Sequence, residues 1–162
     1  MKYILLTFLL CPLVSFGQST INFKYGVGIL QSAQKSNSDS AFGSLSYQTP
    51  IKGSLYHQVE SGLWTSRARD LGQKMSGFLS HNLGLKLNLG PCYIESMHGL
   101  GFITTPDSLL GGRFQFFHDV GFGAKDKVGS AFGVQIKHIS SAGLEKPNIG
   151  RNFLLIKISF GI

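Results

Sequence analysis

Along most of the chain after residue 20, apolar residues alternate with polar or small ones. The clearest run covers residues 82–89, where leucines occupy every second position: Leu83, Leu85, Leu87 and Leu89. Successive side chains of a β-strand point to opposite faces, so this alternation predicts strands with one apolar and one polar face. No helical period interrupts the pattern, which therefore constrains the fold more than any other feature of the sequence.

Eight segments carry this alternation, near residues 22–31, 41–49, 54–65, 76–89, 92–103, 112–123, 129–140 and 152–162. Their lengths suit strands that cross a membrane, which need ~9–11 residues. The links between the segments alternate as well. Short links lie near 50–53, 90–91 and 124–128, and longer polar links lie near 32–40, 66–75, 104–111 and 141–151. This plan predicts an all-β fold: an eight-stranded antiparallel transmembrane β-barrel with short periplasmic turns and long outer loops.

Residues 1–17 have the features of a secretory signal peptide. Lys2 supplies a positive charge, an apolar stretch extends to Phe16, and small residues precede a cleavage site that we place after Gly17. The apolar stretch is shorter than the ~20 residues that a membrane-spanning helix needs. We therefore expect residues 18–162 to form the barrel as a single domain.

The chain is poor in charge, because charged residues make up only 14% of it, against a usual ~25%. This favours a membrane barrel over the alternative of a soluble, lipocalin-like barrel, whose strands also alternate. The net charge is +7, or +6 without Lys2 of the signal peptide. In an exported protein this charge favours anionic lipid over nucleic acid as the partner, although a basic surface that only maintains solubility has the same balance. The expected location is the outer membrane of a Gram-negative bacterium.

Three polar side chains fall on the apolar face of the last two predicted strands. His138 and Ser140 are two residues apart and share one face, and Asn152 lies on the corresponding face of the next strand. Strand seven runs outward and strand eight returns, so all three should meet at the extracellular end. A His beside a Ser, with a third group that orients the His, is the arrangement that activates a hydroxyl nucleophile. The pattern suggests an esterase acting on lipid, and the alternative is headgroup-level residues that bind interfacial water.

The same stretch resembles the signature of a known family. The run from His138 to Leu144 (HISSAGL), followed by Pro147 to Gly150 (PNIG), is similar to the pattern H-x-S-N-A-G, then P-N-x-G, of the lipid A 3-O-deacylase (PagL) family. The likeness lies in the second half of the chain, and the first half matches in architecture alone. It implies an eight-stranded outer-membrane barrel that hydrolyses the ester of the acyl chain at position 3 of lipid A. Lipid A, as part of lipopolysaccharide, would then be the substrate.

The resemblance also implies roles for individual residues. Ser140 would be the nucleophile and His138 the general base. Asn148 and backbone N–H groups between Ser141 and Gly143 would stabilise the oxyanion, and such donors can each contribute ~10²–10³ in rate. No cofactor and no metal is expected for this chemistry.

Two positions depart from the family pattern. Ser141 stands where the family has Asn, and Asn152 stands where it has the acidic member of a Ser-His-Glu triad. An Asn can accept a hydrogen bond from His138, but it cannot stabilise an imidazolium by charge. Glu145 is the nearest acidic residue, and it lies in the loop. The alternative function is therefore a weakened or inactive family member that acts as a structural or lipid-binding outer-membrane barrel. A soluble periplasmic ligand-binding barrel is a second alternative.

The other histidines are scattered along the sequence without the spacing of metal ligands: His57, His81, His98 and His118. The single tryptophan, Trp64, is expected at the membrane interface or in a loop.

Overall fold

A computed structural model describes residues 18–29, 40–68, 72–106, 109–146 and 148–162; the predicted signal peptide lies outside them. Eight antiparallel strands form a closed barrel in chain order, and the first strand pairs with the last. The strands are β1 (Thr20–Gly28), β2 (Ala41–Lys52), β3 (Leu55–Ala68), β4 (Gly72–Leu89), β5 (Cys92–Ile103), β6 (Phe114–Lys125), β7 (Ala131–Ser140) and β8 (Arg151–Gly161). This confirms the predicted all-β, eight-stranded barrel. The described part of the chain contains no apolar helix of membrane-crossing length.

The β3–β4 hairpin departs from the sequence prediction. A long polar loop was expected near residues 66–75, and this prediction is wrong, because the two strands stay paired as far as Ala68 and Gly72. Polar residues such as Thr65 and Ser66 interrupt the apolar alternation there. Outside the hydrocarbon layer, however, strands pair through their backbones without needing an apolar face. The hairpin therefore continues beyond the last alternating residues.

The two faces of the barrel wall have opposite chemistry. Large apolar side chains point outward and remain exposed, as Leu83, Leu85 and Leu87 do at 48–56%. Inward positions of the same strand, such as Asn82, are buried and polar. A soluble lipocalin-like barrel would bury its apolar face, so this arrangement excludes that alternative and is the pattern of a barrel immersed in lipid.

Charged side chains fill the middle of the lumen. The ammonium groups of Lys24 and Lys137 each lie between the carboxylates of Glu60 and Asp119, at N–O distances of 2.8–3.1 Å. A separate pair joins Lys157 to Glu95 at 2.6 Å. All of these side chains are buried, and charges in such a place are tolerated only when they are paired.

An apolar cluster fills the lumen at the end that carries the long loops. Its members come from seven strands and one loop: Phe42, Trp64, Phe78, Ile103, Leu110, Phe117, Ile139, Phe153 and Leu155. Trp64 is fully buried there, so the prediction that it lies at the interface or in a loop is wrong. It shares the inward face of β3 with Glu60 and Gln58, in agreement with the strand alternation.

Candidate active site

His138 lies on β7 between two neighbouring strands that contribute to the same outer surface. The strand register pairs it with Asn152 of β8 on one side and with His118 of β6 on the other. Two residues away along the strands, Ile136 and Leu154 point outward and are exposed. The predicted shared outer face of His138 and Asn152 is therefore confirmed.

A hydrogen bond fixes the tautomer of His138. Its Nδ1 lies 2.7 Å from the amide oxygen Oδ1 of Asn152. A carbonyl oxygen can only accept, so Nδ1 carries the proton and donates it. The Nε2 atom is left with a free lone pair, and an imidazole in this state can act as a general base.

Ser140 is the last residue of β7 and lies two positions beyond His138 on the same strand face. In the register it stands opposite Phe116 of β6. Its exposed fraction is only 9%, so Ser140 is buried although it lies on the outer face of the strand. Ser140 thus lies at the rim of the barrel, where the wall meets the β7–β8 loop.

The chain turns sharply after Ser140. The backbone N–H of Leu144 donates to the carbonyl oxygen of Ser141 at 3.0 Å. The two central residues, Ala142 and Gly143, have φ angles of 50° and 83°, as in a type I′ turn. The turn's own hydrogen bond uses neither of their N–H groups, so both can serve as donors.

Asn148 holds this turn from the other side of the loop. Its Oδ1 accepts a hydrogen bond from the N–H of Ser141 at 2.9 Å. The Ser141 hydroxyl donates to the carbonyl oxygen of Glu145, also at 2.9 Å. Because the N–H of Ser141 already has a partner, it is less available to a ligand than the N–H groups of Ala142 and Gly143.

The link between β5 and β6 is hydrogen-bonded to the β7–β8 loop and supports it. The carbonyl oxygen of Leu109 accepts from the N–H groups of Ile149 and Gly150 at 3.1 and 3.2 Å. Leu110 forms an isolated bridge with Asn148 and packs into the apolar cluster of the lumen. These contacts were not predicted from the sequence. The only signal for them was a pair of leucines in an otherwise polar link.

Gly150 provides the space in which the His138 ring lies. Its φ angle is +78°, a conformation that side-chain-bearing residues rarely adopt. A Cβ atom added to Gly150 would lie 2.7 Å from Cε1 of His138. The glycine that ends the P-N-x-G segment therefore determines how closely the loop approaches the imidazole.

The structure separates Glu145 from this arrangement. Its carboxylate lies against Gly112 of the β5–β6 link, whereas Nδ1 of His138 is bonded to Asn152. No group of three or more His, Cys, Asp or Glu residues among the described residues could hold a metal ion. The polar atoms around His138 thus resemble a hydrolytic site whose orienting member is an amide.

Comparison with known proteins places the chain in a family. A family model described as lipid A 3-O-deacylase (PagL) matches residues 41–160. The chain belongs to this family. The solved structure of the outer membrane enzyme PagL resembles it with a TM-score of 0.63 and 20% sequence identity, over 88% of this chain and 99% of that one. At this identity the structural likeness concerns the fold. No curated protein sequence matched the chain.

Proposed function

We propose that this protein is a carboxylic ester hydrolase of the outer membrane that removes the acyl chain ester-linked at position 3 of lipid A. Membership of the PagL family and the lipid-facing wall of the barrel support this function. The observation that carries it is the bond from His138 to Asn152, because it leaves a basic Nε2 on the strand face that ends with Ser140. Residues 1–17 would serve as the signal peptide that directs export, with the barrel following from residue 18.

In the proposed mechanism the hydroxyl oxygen of Ser140 attacks the ester carbonyl of lipid A. Its proton passes to Nε2 of His138, which becomes an imidazolium. The tetrahedral oxyanion accepts hydrogen bonds from the N–H groups of Ala142 and Gly143 and from the amide Nδ2 of Asn148. Collapse of this intermediate breaks the ester bond, and the imidazolium returns its proton to the leaving sugar hydroxyl. Water then hydrolyses the acyl-serine by the same steps, with His138 as the base.

Three of the supporting contacts fit these roles. Asn148 uses its oxygen to hold Ser141, so its Nδ2 hydrogens are available for an anion. The I′ turn places two N–H groups directly after the nucleophile. Ser141 itself stabilises the loop through its hydrogen bonds to Asn148 and Glu145, and it is not a donor to the oxyanion.

Asn152 takes the place of the family's acidic residue and lowers the expected rate. It orients His138 as a carboxylate would, but it has no charge with which to stabilise the imidazolium. We therefore expect slow deacylation. A barrel without catalysis, with a structural or lipid-binding role, is the outcome that the following experiment separates from this one.

The test is mass spectrometry of lipid A from a Gram-negative host that lacks 3-O-deacylation, with and without the protein. Wild type should yield lipid A that lacks one 3-hydroxyacyl chain. Ser140→Ala and His138→Ala should abolish this product while heat-modifiable migration shows a folded barrel. Ser61→Ala, an exposed serine on the outer face of β3, is the matched control and should behave as wild type. Product from Ser140→Ala would remove it as the nucleophile, and no product from wild type would favour the non-catalytic barrel.

A further inference from the structure

A continuous row of polar side chains crosses the outer wall and includes His138 and Asn152 of the proposed site. Strand register aligns His98 of β5, His118 of β6, His138 of β7 and Asn152 of β8, and Ser96 lies two residues before His98. The surrounding outward positions carry apolar residues: Leu100, Val120, Ile136 and Leu154. Polar groups that face lipid are stable only when they bond to one another, and within a membrane-spanning wall they mark candidate functional sites.

His98 and His118 lie within hydrogen-bonding distance of each other. Their Nδ1 atoms lie 2.8 Å apart, and Nε2 of His98 lies 3.1 Å from the hydroxyl oxygen of Ser96. Two imidazole nitrogens at this distance need one N–H donor and one lone pair between them. The neutral pair satisfies this requirement with a single proton in the bridge. One further proton would convert the pair into a cation on the outer wall.

The ring of His118 also stacks against that of His138. The ring centroids are 6.2 Å apart and the ring planes are inclined by 25°. His138 is consequently held from two sides, by the amide of Asn152 and by the ring of His118. The lumen-facing neighbours, Asp119 and Lys137, pair with each other at 2.8 Å on the opposite face of the wall. On the outer face, the groups around His118 that can ionise are therefore His98 and His138.

We propose that His118, supported by His98, is a positioning residue for His138, and that the charge on the histidine pair controls the hydrolase. The inference rests on the proposed function and names a regulator of the same site. A neutral pair fixes the ring of His138 and permits the imidazolium that forms during the reaction. A protonated pair opposes that imidazolium, because the ring centroids of His118 and His138 are only 6.2 Å apart. At an effective dielectric constant of ~20, repulsion between two like charges at this distance disfavours protonation of His138 by on the order of 100-fold. Acid should therefore lower the deacylation rate in two ways: by protonating His138 and by charging the pair of His98 and His118.

The first test is the pH dependence of deacylation by purified, folded barrel in mixed micelles with lipid A. His118→Phe keeps a flat ring but cannot be protonated, and His118→Ala removes the ring. We expect His118→Phe to keep the neutral-pH rate within about threefold and His118→Ala to lose roughly tenfold, since a general base acts only when it is correctly oriented. On the acid side, the logarithm of the wild-type rate should fall by more than one unit for each pH unit. The logarithm of the His118→Phe rate should fall by one unit for each pH unit. His81→Phe, on the outer wall but outside the row, should follow wild type.

A second measurement does not depend on catalysis. In folded barrel with ¹⁵N-labelled histidine, the ring signals of His138 should follow two titration steps in wild type and one step in His118→Phe. The inference would be overturned if His138 shows a single step in both proteins. It would also be overturned if wild type is active and its rate falls with acid as steeply as that of His118→Phe. Either result leaves the proposed function standing. Two steps in a protein without deacylase activity would support the coupling of the histidines and reject the proposed function.

Discussion

At the scale of single residues, the proposed mechanism makes Asn152 the group that limits His138 as a base, because the two side chains are hydrogen-bonded. Asn152→Glu would replace a neutral hydrogen bond with a charge-assisted one and would stabilise the imidazolium. We expect deacylation to rise ~10-fold or more, well below the ~10⁴ that separates Asp from Asn in serine proteases, because Asn152 is only half-buried and screening weakens a charge at such a position. The measurement is the fraction of lipid A lacking one 3-hydroxyacyl chain, at equal amounts of folded protein. Asn152→Gln is the matched control, since it lengthens the side chain without adding charge and should not increase the rate.

An equal rate for wild type and Asn152→Glu would show that Asn152 does not orient the base during catalysis. A carboxylate on the outer wall also lowers barrel stability, but this loss is small near the interface, at about 0–1 kcal/mol. The heat-modifiable fraction of both variants therefore belongs in the same experiment, so that a change in rate can be separated from a change in the amount of folded protein.

The sequence was sufficient to place some of these residues but not others. Strand alternation put His138 and Asn152 on one outer face without reference to any family, and the hydrogen bond between them agrees with that placement. The contact between His118 and His138 could not be predicted, because it depends on how two strands align and not on spacing along the chain. The role of Gly150 was hidden for a similar reason, since a sequence does not state where a backbone adopts positive φ.

At the scale of strands and loops, chain direction determines which links face the outside of the cell. β3 runs outward and β4 returns, so the β3–β4 hairpin should be extracellular and the β6–β7 link periplasmic. Lys74 and Lys127 are exposed lysines in these two places and form a matched pair. In a Cys92→Ser background, a membrane-impermeant maleimide should label Lys74→Cys in intact cells and Lys127→Cys only after the outer membrane is opened. The reverse labelling pattern would invert the topology and move the proposed site to the periplasmic side.

The strand ends were the least predictable elements. Within the lipid layer the apolar alternation is required, and the segment 92–103 was predicted with the bounds that β5 has. Beyond the lipid layer the same strands continue without that requirement, as β3 and β4 do up to Ala68 and Gly72. Backbone pairing there leaves no periodic mark in the sequence, so a polar hairpin was indistinguishable from a polar loop.

At the scale of the whole molecule, alternation predicted which residues point into the lumen but not which of them meet. Glu60 reaches Lys137 across 77 residues of sequence, and the two are brought together by the way the barrel closes. The same closure brings Lys24 and Asp119 to the pair and gives the group two positive and two negative charges. The lumen is therefore neutral at this level although the chain as a whole is basic.

This balance can be tested with a double-mutant cycle on Glu60 and Lys137. Glu60→Leu alone leaves two buried lysines with one carboxylate, and Lys137→Leu alone leaves two buried carboxylates with one lysine. Each should lower the free energy of unfolding by ~3–5 kcal/mol, the usual effect of breaking a buried ion pair. The double variant keeps the pair of Lys24 and Asp119 intact, so it should be markedly more stable than either single variant. The measurement is urea-induced unfolding of the barrel in lipid vesicles, followed by heat-modifiable migration. Losses that simply add in the double variant would show that water reaches these charges and that the four side chains do not act as one unit.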